Sequence, residues 1–89
     1  MPVSDLKIVN IKGLHARASA KLVEVVEGHD ARATVSKDGL DAGGDSIMGL
    51  LMLAASQGST IRVQTEGPQA DALMQAISAL VADRFGEGA

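Results

Sequence analysis

The amino-acid sequence predicts an α/β (α+β) fold of two layers, in which a four-stranded antiparallel sheet is covered on one face by three helices. Four segments alternate apolar and polar residues, and three others carry apolar residues at helical spacing, in the order β-α-β-β-α-β-α. Strands with one polar face are typical of antiparallel sheets that leave one side open to water. We expect a single domain over residues 1–89, because so short a chain cannot supply two cores.

The first third of the chain predicts a strand, an amphipathic helix and a second strand. Residues 3–10 alternate in polarity and predict the first strand. From Ala16 the apolar residues recur at spacings of three and four, which predicts a helix of about three turns. Gly28 is a suitable residue to end that helix. Alternation over residues 31–36 then predicts the second strand.

The middle of the chain predicts a hairpin and a short capped helix. Asp38 and Gly39 both tolerate positive φ, so they can form a tight turn into a short third strand over residues 40–42. The Ser46 hydroxyl can accept a free backbone N–H and cap the second helix, which we expect to end at Gln57-Gly58. Its two apolar stripes are Ile47, Leu50, Leu51, Ala54 and Met48, Met52, Ala55. A helix this short cannot easily bury both.

The last third predicts a fourth strand and a long final helix. Alternating residues 61–66 form the strand. Gly67-Pro68 opens the helix, with proline at the first helical position, where its missing N–H costs nothing. Apolar residues at helical spacing continue to Val81, and Gly86 closes the helix. The tail from Gly86 to Ala89 receives no role.

Composition and charge narrow the classes of function. The chain has no Cys and a single Phe as its only aromatic residue, so disulfides and aromatic stacking platforms are excluded, and we expect no nucleic-acid partner. No apolar run approaches the ~20 residues of a membrane span, so we expect a cytoplasmic protein without membrane contact. Residues 12–21 hold three cations and no acid, whereas the remainder carries a net charge of −6. This basic island suits a single anionic group such as a phosphate, although chance accounts for it equally well.

His15 is the strongest candidate for chemistry. It immediately precedes the first helix, whose first turn offers unpaired N–H groups and the positive end of the helix dipole. A phosphate on this imidazole would meet the backbone donors of Ala16, Arg17 and Ala18, and the Arg17 guanidinium would add a cation. Because dipole and cation disfavour the imidazolium, we expect a neutral, nucleophilic ring. From position alone, a histidine that merely caps the helix is the simpler interpretation.

The remaining candidates are weaker. His29 lies in a predicted surface turn, about 18 Å from His15 along the first helix, so we expect no metal site and no cofactor. Ser46 suits both a cap and a phosphorylation site. Met48 and Met52 form either an exposed partner surface or part of the core. The chain has neither a nucleotide-binding P-loop nor a Ser-His-Asp set, so we do not expect a stand-alone enzyme.

Two motifs carry a resemblance to a known family. They are Gly13-Leu14-His15-Ala16-Arg17 followed by Ala18-Ser19-Ala20, and further along Ser46-Ile47-Met48-Gly49-Leu50. Together they resemble the HPr phosphocarriers of the bacterial phosphoenolpyruvate-dependent phosphotransferase system, and the resemblance covers nearly the whole chain. It implies an open-faced β-sandwich in which His15 accepts a phosphoryl group on Nδ1 from phosphorylated enzyme I. His15 would pass the group to a histidine of an enzyme IIA, with Arg17 neutralising its charge.

The resemblance also implies regulation and docking. Ser46 matches a serine that an ATP-dependent HPr kinase/phosphatase modifies in some bacteria. The docking surface that we expect comprises Ile47, Met48, Leu51, Met52 and Lys21. Ala18 stands where many members have proline. The Ala18-Ser19-Ala20 sequence resembles instead the carriers of the nitrogen-related regulatory branch and those of alphaproteobacteria, so both sugar transport and regulation stay open as outputs.

Two other hypotheses compete with a phosphocarrier. One is a regulatory binding module that acts through Ser46 and the patch around Met48 and Met52 without transferring phosphate. The other is a scaffold that pairs through its sheet and would form a stable oligomer. We expect a monomer.

Overall fold

The structure, a computed structural model, describes residues 2–88 and contains the predicted succession of strands and helices within them. The elements are β1 (Val3–Lys7), α1 (Ala16–Glu27), β2 (Arg32–Lys37), β3 (Leu40–Gly43), α2 (Ile47–Met52), β4 (Thr60–Glu66), α3 (Ala70–Ala82) and a 3₁₀ turn (Arg84–Gly86). The prediction of three helices and four strands is thereby confirmed. None of the helices within residues 2–88 is long and apolar enough to cross a membrane.

The four strands form one antiparallel sheet in the order β1-β4-β2-β3. Val35 of β2 pairs with Val63 of β4 at the centre, and both side chains are fully buried under the helices. The opposite face carries exposed charges, among them the ion pair of Arg62 Nε with Asp5 Oδ1 at 3.0 Å. The predicted open-faced arrangement is therefore confirmed.

The helices α1 and α3 lie side by side on the covered face of the sheet. Leu22 of α1 and Ile77 of α3 have no exposed surface, as expected for the apolar stripes that helical spacing predicted. The lone aromatic residue, Phe85, is also fully buried. Burial of these side chains fixes α1, α3 and the 3₁₀ turn relative to the sheet.

Two local predictions in the middle of the chain are confirmed. The hairpin turn places Asp38 and Gly39 at φ values of 52° and 83°, as their sequence suggested. The hydroxyl of Ser46 accepts a hydrogen bond from the Gly49 N–H at 3.0 Å and caps α2.

The predicted end of α2 is wrong. The helix ends at Met52 rather than at Gln57-Gly58, because Ala54 adopts a φ of 52° and turns the chain away. Ala54, expected on the same stripe as Ile47 and Leu50, is exposed, whereas Ala55, expected on the stripe of Met48 and Met52, is buried. The turn brings the Ala55 carbonyl to the loop that precedes α1.

Three other predicted boundaries differ from the structure. The strand β1 ends at Lys7 rather than at residue 10, because the chain turns at Asn10 towards α1. Pro68 is not the first helical residue, since α3 begins at Ala70 after its N-cap, Gln69. The helix also ends at Ala82 rather than near Gly86.

Candidate functional site

A tight loop between β1 and α1 places His15. The Gly13 carbonyl accepts a hydrogen bond from Nδ2 of buried Asn10 at 2.8 Å, and the Leu14 N–H donates to the Ala55 carbonyl at 2.8 Å. Gly13 has a φ of 67°, and a Cβ there would lie 2.4 Å from the Ala55 oxygen. Only glycine fits this approach of two backbone segments.

His15 is the N-cap residue of α1. Its backbone is extended, with φ −82° and ψ −175°, and its carbonyl accepts the Ser19 N–H at 2.8 Å. Its side chain makes no capping hydrogen bond, which removes the simpler interpretation of a histidine that caps the helix through its ring. The N–H groups of Ala16, Arg17 and Ala18 precede the first helical hydrogen bond and have no acceptor among residues 2–88.

The imidazole of His15 contacts the C-terminal tail. Its Nε2 lies within hydrogen-bonding distance of Glu87 Oε2, and the other oxygen, Oε1, accepts from Asn10 Nδ2 at 2.9 Å. The side chain of His15 is 26% exposed and that of Glu87 is 12% exposed. The hydrogen bonds from Asn10 and then His15 lower the pKa of Glu87 despite partial desolvation, so this carboxyl is ionised at neutral pH.

Three cations line a groove beside Glu87, the carboxylate that contacts His15. A groove of about 350 Å³ is lined by Ile11, Lys12, Arg17, Lys21, Gly86 and Glu87. A second hollow of about 300 Å³ contains His15, Lys12 and Leu51 in its wall. Arg17 is exposed, whereas Lys21 is half-buried and donates from Nζ to the Phe85 carbonyl at 2.6 Å. The predicted basic island thus lies next to the imidazole.

The exposed side of α2 adjoins the same region. Met48 and Met52 of the second apolar stripe are 70% and 74% exposed, and Ile47 of the first stripe is 40% exposed, so these three side chains form a surface, whereas Ala55 of the second stripe belongs to the core. Half-buried Leu51 lines the hollow that contains His15 and connects this surface to the imidazole. Docking through these side chains stays a prediction.

The second histidine lies outside the site. His29 follows α1 at its opposite end, where Nδ1 is 2.7 Å from the Val25 carbonyl oxygen. Within residues 2–88, no three His, Asp or Glu side chains come close enough together to bind a metal ion.

Sequence analysis missed Asn10 and Glu87. Both act across long separations, since Glu87 lies 77 residues from Asn10 and 72 from His15. One signal was available: the only aromatic residue, Phe85, stands two positions before Glu87. A lone aromatic residue near a chain end is a strong candidate for burial and could have predicted an anchored tail.

Comparison with known proteins agrees with this geometry. A family model described as "PTS HPr component phosphorylation site" matches residues 3–83. The chain is 46% identical to the phosphocarrier protein HPr of Cupriavidus necator over 94% of both chains, and 37% identical to the phosphocarrier protein NPr of Escherichia coli over 92% of both. The crystal structure of HPr-C-His from Thermoanaerobacter tengcongensis superposes with a TM-score of 0.93 at 32% identity, over 98% of both chains. The chain therefore belongs to the HPr family of phosphocarrier proteins.

Proposed function

We propose that Nδ1 of His15 accepts a phosphoryl group from phosphorylated enzyme I and passes it to a histidine of an enzyme IIA. One observation carries this proposal. The ring lies at the start of α1 with Nε2 against Glu87, which leaves Nδ1 as the ring nitrogen without a hydrogen-bonding partner among residues 2–88.

The transfer conserves atoms and charge. The Nδ1 lone pair attacks phosphorus, the nitrogen–phosphorus bond of the donor histidine breaks, and the donor nitrogen keeps that electron pair. His15 becomes a phosphoimidazolium that retains its proton on Nε2. When the group passes to the next histidine, the same steps occur with His15 as the donor. The protein is therefore a carrier rather than a stand-alone catalyst, and neither step requires a cofactor.

The phosphoryl group needs only modest stabilisation, because tight binding would prevent onward transfer. The N–H groups of Ala16, Arg17 and Ala18 and the guanidinium of Arg17 supply donors for its oxygens. A helix N-terminus stabilises a nearby anion by about 0.3–1 kcal/mol. Support of that size holds the group without trapping it.

Partner docking would use the surface beside the site. The exposed apolar side chains of Met48 and Met52 adapt to different partners, and Lys12 and Arg17 favour acidic ones. Phosphorylation of Ser46 by an HPr kinase/phosphatase would place a dianion at the start of α2, within this surface. That charge would weaken docking to an acidic partner by repulsion and desolvation.

The central experiment incubates the protein with enzyme I and labelled phosphoenolpyruvate. We expect an acid-labile, base-stable label, as phosphohistidine gives, and its loss in His15→Ala. The matched control is His29→Ala, because His29 lies at the other end of the same helix and should label as the wild type does. Equal labelling of His15→Ala and wild type would refute the proposal.

Regulation through Ser46 has its own test. Ser46→Asp should lower the rate of labelling by enzyme I, because it adds a charge at the docking surface and keeps an oxygen that can cap α2. Gln75→Glu, on the exposed side of α3, adds the same charge elsewhere and should leave the rate unchanged. Equal rates for Ser46→Asp and wild type would exclude this role.

A regulatory binding module without phosphoryl transfer is the second candidate. The exposure of Met48 and Met52 is the observation that favours it, since such side chains on a small domain suit a protein partner. This candidate predicts partner binding that survives His15→Ala and is lost in Met48→Ser. The phosphocarrier predicts that label transfer fails in the first variant.

A further inference from the structure

The C-terminal tail returns to the phosphorylation site that we propose and is fixed there at several points. Phe85 is fully buried, and its carbonyl accepts a hydrogen bond from Lys21 Nζ of α1 at 2.6 Å. The Gly86 N–H donates to the Asp83 carbonyl at 2.9 Å. Glu87 is thus presented to the site by an anchored turn rather than by a loose chain end.

This turn has an unusual backbone. The φ values of Arg84, Phe85 and Gly86 are 56°, 53° and 75°. They lie in the left-handed region, which residues other than glycine rarely adopt. Such strain persists only where surrounding contacts impose it, and it is concentrated at functional sites. Its consequence here is that the chain reverses after Phe85 and directs Glu87 to His15.

The carboxylate of Glu87 uses both oxygens. Asn10 Nδ2 donates to Oε1, and the same nitrogen donates to the Gly13 carbonyl, which fixes the orientation of the Asn10 amide. Because the lowered pKa of Glu87 keeps it ionised, Oε2 can only accept, so Nε2 of His15 must carry the hydrogen. A neutral ring with hydrogen on Nε2 has its lone pair on Nδ1.

We propose that Glu87 is a positioning residue for phosphoryl transfer, which holds His15 in the tautomer whose Nδ1 attacks phosphorus. This inference rests on the function proposed above. As the Nδ1–phosphorus bond forms and the donor's nitrogen–phosphorus bond breaks, the ring becomes cationic and its Nε2 proton stays hydrogen-bonded to Glu87. The carboxylate of a serine-protease triad acts on its histidine in the same way.

Glutamine at this position gives a discriminating variant. Asn10 presents a donor that the Gly13 carbonyl holds in place, so the introduced amide must turn its oxygen to Asn10 and its NH₂ to His15. That NH₂ requires an acceptor, which places the lone pair on Nε2 and the hydrogen on Nδ1. Glu87→Ala removes the constraint without imposing the wrong tautomer.

The first measurement is the tautomer itself. Long-range ¹H–¹⁵N correlation of the His15 ring, at about pH 8 where an ordinary histidine is neutral, reports which nitrogen carries hydrogen. We expect hydrogen on Nε2 in the wild type and in the control Glu27→Gln, which alters an exposed residue at the far end of α1. We expect it on Nδ1 in Glu87→Gln. An unchanged tautomer in Glu87→Gln would overturn the proposal.

The second measurement is the rate of labelling by enzyme I. In a serine-protease triad, replacing the carboxylate that orients the histidine by its amide lowers kcat by about 10⁴, so Glu87→Gln should label at least about tenfold slower than the wild type. Glu87→Ala should lie between them, whereas a merely structural role would make the isosteric glutamine the better replacement. Glu87→Gln labelled as fast as Glu87→Ala or the wild type would overturn the proposal. Failure to label the wild type at His15 would instead remove the proposed function itself.

Discussion

Replacing Gly13 with alanine should lower the free energy of unfolding more than an alanine at any other loop glycine would. The added Cβ would lie 2.4 Å from the Ala55 oxygen and 2.9 Å from the Ser56 Cα. Both are backbone atoms, so neither can rotate away as a flexible side chain would. Relief requires separating the loop before α1 from the turn after α2, which breaks the hydrogen bond from Leu14 N–H to the Ala55 carbonyl.

Two contributions set the magnitude. A residue with a Cβ at a φ of 67° costs about 1–2 kcal/mol. Overpacking against fixed atoms adds about 1–3 kcal/mol. Gly13→Ala should therefore lower the free energy of unfolding by about 3 kcal/mol. In a domain of this size, 1 kcal/mol changes Tm by about 4–8 °C, so the melting temperature should fall by roughly 15 °C.

The matched control is Gly58→Ala. Gly58 has a φ of 90°, but a Cβ there would meet no atom within 4 Å, so this variant incurs only the backbone cost. Urea denaturation followed by circular dichroism gives both free energies of unfolding. If Gly13→Ala is no less stable than Gly58→Ala, the close approach of the two backbone segments does not constrain the site as we describe.

Three further predictions test other parts of the structure. Ser46→Ala should lower the free energy of unfolding by about 1 kcal/mol by removing the cap of α2, as urea denaturation will show, whereas Ser46→Asp should not. Phe85→Ala should cost about 3–5 kcal/mol in the same assay because the ring is fully buried, while Phe85→Leu, which leaves a smaller cavity, should cost less. The lowered pKa of Glu87 stabilises the folded state above the ordinary glutamate value of about 4.3, and this stabilisation is lost as the pH falls through the folded-state pKa. The difference in unfolding free energy between wild type and Glu87→Gln should therefore persist from about pH 7 to about pH 5 and shrink at lower pH, and the same titration of Glu27→Gln should show no such loss.

Patterns that depend on neighbouring residues were predictable from the sequence. The turn at Asp38 and Gly39 follows from which residues tolerate positive φ, and the Ser46 cap follows from a hydroxyl placed just before a helix. The stripes of α1 and α3 follow from the spacing of apolar residues. Each of these features is fixed within a few residues, so the sequence contains the whole cause.

Features that depend on distant contacts were not predictable. Nothing local stops α2 at Met52, since alanine is the best helix former, yet Ala54 turns so that the Ala55 carbonyl can accept the Leu14 N–H. Pro68 lies before α3 because Gln69, the cap residue, is held by hydrogen bonds to Asp30. These contacts form only when the sheet is assembled.

The candidate site shows the same division between local and distant causes. The sequence indicated His15 and Arg17, because a histidine before a helix and a cation in its first turn are local features. It did not indicate Asn10 or Glu87, which reach the ring from a strand end and from the chain end. The sequence therefore indicated the candidate nucleophile but not the groups that contact it.

The site lies where three connections meet at one side of the molecule: the loop after β1, the turn after α2 and the tail after α3. The backbone at the start of a helix has N–H groups without a hydrogen-bonding partner in the helix, and these are the donors that the proposed phosphoryl transfer would use. Rigidity must then come from elsewhere, and it comes from Gly13 against Ala55 and from buried Phe85. The protein thus combines free donors with a fixed histidine, which a carrier needs if it is to accept a group from one partner and release it to the next.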